Sequence, residues 1–260
     1  MSDKTAPPLL AARQLTLRIG GHLLCRDLDM QLFPGDSLVI LGRNGAGKST
    51  LLAALAGLRA PESGEILLAG KRYAEHGARA AARQRGWLGQ RRDDPFAAHV
   101  LETALTGRHP HLGRWQWESA ADIARARTAL AEVGLEAMAA RDVRTLSGGE
   151  RQRLAIATLL VQDAPLMLVD EPLAHLDMNH QIAALTLLAE RVRRGAALIS
   201  ILHDPGLAAR YHTQALLMYG DGESEIGAAD ELLIPEKLSR LYGHPLLKIA
   251  ADGRTAFVPA

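Results

Sequence analysis

Gly42-Arg43-Asn44-Gly45-Ala46-Gly47-Lys48-Ser49 satisfies the spacing G-x-x-x-x-G-K-[ST], and its flanks constrain the chain as much as the motif does. Ser37 to Leu41, before it, is a short apolar run with Val and Ile; Leu51-Leu52-Ala53-Ala54-Leu55, after it, is apolar too. That order predicts a buried strand, a loop and a helix. Glycines let backbone N–H groups approach phosphate closely, and the start of the helix adds positive potential. The phosphate contacts expected are Gly42, Asn44, Gly45, Ala46, Gly47, Lys48, Ser49 and Thr50, with Lys48 on the outer phosphates. A plain glycine-rich turn is the competing reading, and the strand and helix on either side argue against it.

Elsewhere the pattern divides the chain. Leu15, Leu17 and Ile19 alternate along one face, and Leu28 to Leu32 alternates likewise before Pro34-Gly35, which predicts an antiparallel β layer. Leu166 to Val169 and Ala197 to Leu202 are apolar runs followed by polar or charged residues, as in a parallel sheet covered on both faces. About 97–146 is helical in pattern, notably Ala120 to Val133, and reads as an insertion. Leu246 to Ile249 and Thr255 to Val258 flank Asp252-Gly253, a signal for a hairpin at about 246–258. The fold expected is α/β: a P-loop NTPase core with a mixed sheet, an antiparallel β subdomain and an inserted α-helical subdomain, all one domain over 1–260.

Composition narrows the partners. Formal charge is +1 and the sequence pI about 8.0, so no global field draws the chain to nucleic acid, and no nucleic-acid partner is expected. Cys25 is the only cysteine, which excludes an intrachain disulfide and a Cys-rich metal site. Met1 to Arg13 lacks the apolar core of a signal peptide, so the chain is expected to stay in the cytosol. The longest apolar runs, such as Leu51 to Leu58 and Ile182 to Ala189, fall well short of the ~20 residues that cross a bilayer.

Two more segments carry chemistry. Leu166-Met167-Leu168-Val169-Asp170-Glu171 is an apolar strand ending in two carboxylates; beside a phosphate loop one can hold Mg²⁺ and the other polarise a water, although strands also end in acidic residues merely because they surface there. In Leu146-Ser147-Gly148-Gly149-Glu150-Arg151-Gln152, Ser147 can cap a helix running from about 149 to 161, and the two glycines leave bare N–H groups that turn its positive end to an anion. An ordinary capped helix would look the same in isolation. This segment resembles the signature of the ATP-binding-cassette family, and the other motifs follow in that family's order over about Leu15 to Tyr242.

The resemblance implies roles for further residues. Gln90, after Gly86-Trp87-Leu88-Gly89, is similar to the family's glutamine that senses Mg²⁺ and the attacking water. His203 resembles its switch histidine, and Ala174-His175-Leu176-Asp177 resembles the loop whose Asp177 crosses a dimer interface. Catalysis is then expected from Glu171, His203, Gln90 and Lys48, with Mg²⁺ held through Ser49, Gln90 and Asp170. ATP is expected to lie between these residues and Ser147, Gly148, Gly149 and Glu150 of a second copy. The implied assembly is a homodimer on the cytoplasmic face of a membrane, bound to two permease subunits and served by a substrate-binding protein. The permease is expected to dock at the helical insertion and the loop at Gln90. One departure stands out: family members carry an aromatic that stacks on adenine where this chain reads Leu17-Arg18-Ile19-Gly20-Gly21, so Arg18 or Ile19 is left to cover the base.

Within the family, Thr106-Gly107-Arg108-His109-Pro110-His111-Leu112 resembles the G-R-x-P-H-L segment of importers for iron siderophores, haem and cobalamin. His109 and His111 themselves read as a solvated loop rather than a metal site. Two alternatives remain: a motor for an exporter of lipid or drug, and a soluble ATP switch acting on ribosomes or DNA. Relatives of the second kind carry two cassettes or a long coiled-coil insertion, and neither occurs in this sequence.

Overall fold

A computed structural model of the chain describes residues 7–90, 97–251 and 254–260. In chain order the elements are β1 (Leu10–Ile19), β2 (His22–Leu32), β3 (Ser37–Gly42), α1 (Lys48–Leu55), β4 (Ser63–Leu68), β5 (Lys71–Arg72), α2 (Tyr73–His76), α3 (Ala78–Gln84) and β6 (Arg85–Leu88). Next come α4 (Val100–Leu105), α5 (Ala120–Glu132), α6 (Gly148–Gln162), β7 (Leu166–Asp170), α7 (Met178–Arg193), β8 (Ala197–Ile201) and α8 (Pro205–Tyr211). The chain closes with β9 (Gln214–Met218), β10 (Ser224–Ala228), α9 (Ala229–Leu232), α10 (Pro235–Tyr242), β11 (Leu246–Ala251) and β12 (Arg254–Pro259).

The alternation in the first two strands makes a four-stranded antiparallel sheet in the order β2-β1-β4-β5. The apolar runs make a six-stranded sheet in the order β10-β9-β3-β8-β7-β6, parallel except where β10 pairs antiparallel with β9. Period-two packing explains why β3 carries no polar face. Leu38 and Ile40 join Leu51, Leu52 and Leu55 of α1 between the two sheets, while Val39 and Leu41 pack on the far side with Leu185, Leu238 and Leu241. Each such leucine, fully removed from water, contributes about 1.5–3 kcal/mol.

The insertion over about 97–146 is helical as expected, with only an isolated bridge between His99 and Asp142. Its apolar face, Val100, Ala104, Ala126, Leu130 and Val143, closes on Leu154, Ala157 and Val161 of α6, so the packed lobe continues past residue 146. The G-R-x-P-H-L segment ties this lobe together. Arg108 Nε donates to Asp122 Oδ1 at 2.8 Å, with both side chains 13% exposed; His111 Nε2 lies 2.8 Å from the Gln162 carbonyl, and Pro110 O accepts from Arg83 Nε at 2.6 Å. The C-terminal strands form the expected hairpin, Leu246 opposite Pro259 and Ala251 opposite Arg254; its turn, Asp252-Gly253, lies outside the described residues.

Beneath β8 sits an ionisable group that burial keeps neutral. His212 is 5% exposed, its Nε2 is 2.7 Å from Ser200 Oγ, and burial pushes its pKa from 6.5 down to about 4. In the unfolded chain the imidazole takes up its proton below about 6.5, while in the fold it resists until about 4, so stability falls as pH drops through that window. Between pH 7.5 and 5 the loss from this group is expected to be about 2 kcal/mol, at ~1.4 kcal/mol per pH unit below the unfolded pKa. Urea unfolding at the two pH values should therefore show a smaller acid loss in His212→Gln than in the parent chain; equal losses would contradict the assignment.

Candidate nucleotide site at the edge of the parallel sheet

The register of the parallel strands gathers the predicted residues. Ile40 and Asp170 both stand opposite Ile201, and Leu88 stands opposite Val169. The chain therefore leaves β3, β7, β8 and β6 at one level, and Gly42, Glu171, His203 and Gln90 lie within two residues of it. This C-terminal edge of a parallel sheet is where α/β folds collect ligands.

Gly47, with φ 91, is in the left-handed region at the entry to α1, which turns the loop so that the helix start faces back across it. Lys48 is 6% exposed, and its Nζ donates to Gly42 O at 2.9 Å and Arg43 O at 3.0 Å. The ammonium thus lies inside the loop. Burial pushes its pKa down, while the charges of Glu171 and Asp170 pull it up. Asp170, 3% exposed, shows the opposite balance: burial raises its pKa, the Ser49 hydroxyl lowers it, the Glu171 charge raises it again, and Lys48 and His203 lower it.

One atom tests whether the edge suits a metal. Asp170 Oδ1 is buried without a hydrogen-bond partner, and the Ser49 hydroxyl is beside the same carboxylate. A hard divalent cation takes such oxygens and completes its shell with water and substrate phosphate, so Mg²⁺ fits here when it arrives with a nucleotide. Glu171, next in the chain, has φ 48, unusual for a residue with a side chain, and its Oε1 is 2.9 Å from His203 Nε2. Gln152 Nε2 holds the following turn by donating to Pro172 O at 2.9 Å.

Ser147 caps α6 through a reciprocal pair: its Oγ accepts from Glu150 N at 3.2 Å, and its own N–H donates to Glu150 Oε2 at 2.7 Å. The Ser147 N–H first, then the Ser147 hydroxyl and the charge of Arg141 3.6 Å away, hold the Glu150 carboxyl below its ordinary range. Asp177 caps α7, its Oδ1 accepting from His180 N at 2.9 Å. Gln90 is exposed at the end of β6, and residues 91–96 after it lie outside the described residues. Arg18 is committed elsewhere, to Glu62 Oε2 at 3.0 Å and Gly21 O at 3.0 Å, whereas Ile19 is half-buried against the core.

The positive φ of Glu171 and the Gln152 tether carry no signal in the sequence, since each depends on the turn after β7. Residues 25–174 match the family described as ABC transporter. The hemin import ATP-binding protein HmuV of Gloeobacter violaceus is 38% identical over 242 residues, 90% of this chain and 87% of the relative. The ferric enterobactin transport ATP-binding protein FepC of Escherichia coli is 36% identical over 238 residues, again 90% of this chain and 87% of the relative. A solved inward-facing ABC transporter, assigned to the metal-chelate type, superposes with a TM-score of 0.84 at 29% identity, covering 97% of this chain and 98% of that one. The chain belongs to the ABC transporter family and is an ATPase subunit of it. Among the described residues no helix is long and apolar enough to cross a membrane.

Proposed function

We propose that this chain hydrolyses MgATP as a homodimer on the cytoplasmic face of a membrane and so powers import of a metal chelate through a separate permease. The observation that carries the hydrolytic reading is the meeting of Lys48, Asp170, Glu171 and His203 at one sheet edge, with Asp170 Oδ1 buried and unsatisfied. Import of a chelate is supported by the two relatives, whose names specify hemin and ferric enterobactin, and by the G-R-x-P-H-L segment. Haem, a ferric siderophore or cobalamin is the substrate class, taken up with a substrate-binding protein and two permease subunits.

Each residue has a stated part. The N–H groups from Gly42 to Thr50 wrap the phosphates, and the Lys48 ammonium exchanges its two carbonyl partners for phosphate oxygens. Asp170, Ser49 and Gln90 hold Mg²⁺, which supplies charge neutralisation at the phosphates. Glu171 accepts the proton of the attacking water, and His203 turns from Glu171 to the γ-phosphate, so their 2.9 Å pair is the contact that gives way. Ser147, Gly148, Gly149 and Glu150 of the second copy close over the nucleotide with the start of α6, and Asp177 meets the partner beside it. Little covalent work falls to the protein, because phosphoryl transfer rests on positioning and charge. The helical lobe receives the permease: Trp115 and Trp117, 88% and 86% exposed just before α5, offer it an apolar surface.

Glu171→Gln is expected to bind MgATP as tightly as the parent while slowing hydrolysis by roughly 10²–10⁴, the usual contribution of a positioned base. Unchanged turnover in a phosphate-release assay would take the base role from Glu171. A deletion strain is expected to grow poorly when haem, a ferric siderophore or cobalamin is the limiting source. Normal growth on all three would remove the import reading and leave the ATPase untouched.

A further inference from the structure

Beyond the switch histidine the chain builds a module against the active edge that the roles above leave unused. Asp204 caps α8, its Oδ1 accepting from Gly206 N at 2.7 Å and Leu207 N at 3.0 Å. The hairpin lies so close to this helix start that a Cβ on Gly206 would be 2.9 Å from Thr255 O, 3.0 Å from Asp204 Oδ1 and 3.5 Å from Ala256 Cα. Phe257, on the same strand, packs on the apolar cluster that contains Ala208, Leu238 and Leu241, which fixes the hairpin to α8 and α10.

The other end of the module reaches the phosphate loop. α10 stops at Tyr242, and a Cβ on Gly243 would be 3.5 Å from Arg43 Nη1. The Tyr242 hydroxyl is buried without a hydrogen-bond partner; burial first, and then the charge of Asp204, push its pKa up to about 12. A ring packed on the cluster of Leu202 and Ala208 and a glycine against Arg43 thus follow each other at one helix end. His203 is 52% exposed in its side chain, and its carrying segment, 202–204, is neither strand nor helix. Its position therefore depends on what stands behind it.

We propose that α10 and the hairpin form a backstop for the His203 loop, with Gly206 and Tyr242 as positioning residues that set the distance between that loop and the phosphate loop. Gly206 lets the hairpin backbone bear directly on the start of α8. Tyr242 packs on the apolar cluster that contains Leu202, at the head of the His203 loop, and buries its hydroxyl there. This rests on the role given to His203 above, and misplacement of about 1 Å at such a group costs on the order of 10² in rate.

The test uses the full chain and measures MgATP hydrolysis, MgATP affinity and melting temperature in Gly206→Ala, Tyr242→Phe and His203→Ala. Gly206→Ala is expected to lower kcat about 10- to 100-fold with MgATP affinity within about two-fold of the parent. Tyr242→Phe is expected to lower kcat several-fold without lowering the melting temperature, since it removes a hydroxyl that is unpartnered; it decides the matter if Gly206→Ala does not fold. Parental kcat in Tyr242→Phe and any folded Gly206→Ala beside an inactive His203→Ala would overturn the proposal, as would a joint fall of kcat, affinity and melting temperature in both. Parental turnover in His203→Ala would instead remove the role of His203, and this inference with it.

Discussion

Because β3, β8, β7 and β6 run parallel, with Ile40 and Asp170 both opposite Ile201 and Leu88 opposite Val169, four chain segments leave the sheet side by side. A slip of one residue would turn every side chain of a strand to the opposite face, and the core forbids it. In β7, Leu166 and Leu168 pack toward the antiparallel sheet while Met167 and Val169 pack toward the helical lobe. Apolar packing on two faces therefore aligns the phosphate loop with the carboxylates. The chemistry at the edge inherits its geometry from leucines that touch no substrate.

That alignment has to hold groups that dislike their surroundings. Burial disfavours the charged forms of both Lys48 and Asp170, and each is partly compensated by charges or hydroxyls on a neighbouring loop. Glu171 adds a backbone conformation that costs about 1 kcal/mol or more for a residue with a side chain. Such groups persist because the strands over-determine them, and dipoles fixed in this way need no reorganisation when charge moves. Gln152 extends the control, since it joins α6, the helix that Ser147 caps, with the turn that carries Glu171.

How much of this the sequence discloses depends on range. The phosphate loop is legible because the motif and its two flanks are contiguous, and the cap of α6 because Ser147 and Glu150 are three apart. β4 escapes notice: only Ile66 and Leu68 of its six residues are buried, too few to show a period. β9 is apolar throughout its buried part, yet its place beside β3, with Leu38 opposite Gln214, is set by pairing across most of the chain. G-R-x-P-H-L reads in sequence as a family mark, whereas Arg108 and His111 in the fold hold α5 and α6 together. The commitment of Arg18 to Glu62 is equally invisible, because the partner arrives from β4's approach, 44 residues on.

The central claim is that each ATP site is completed by a second copy, Lys48 and Glu171 on one side and Ser147 on the other. It is tested most directly by mixing two inactive chains, Lys48→Ala and Ser147→Arg, and measuring trapped ATP per dimer. Neither chain alone forms a complete site. A mixed dimer places the intact Lys48 of one chain against the intact Ser147 of the other, so the account predicts one trapped nucleotide per mixed dimer and restored, reduced hydrolysis. No trapped nucleotide in verified mixed dimers, or full activity of Ser147→Arg alone, would contradict it.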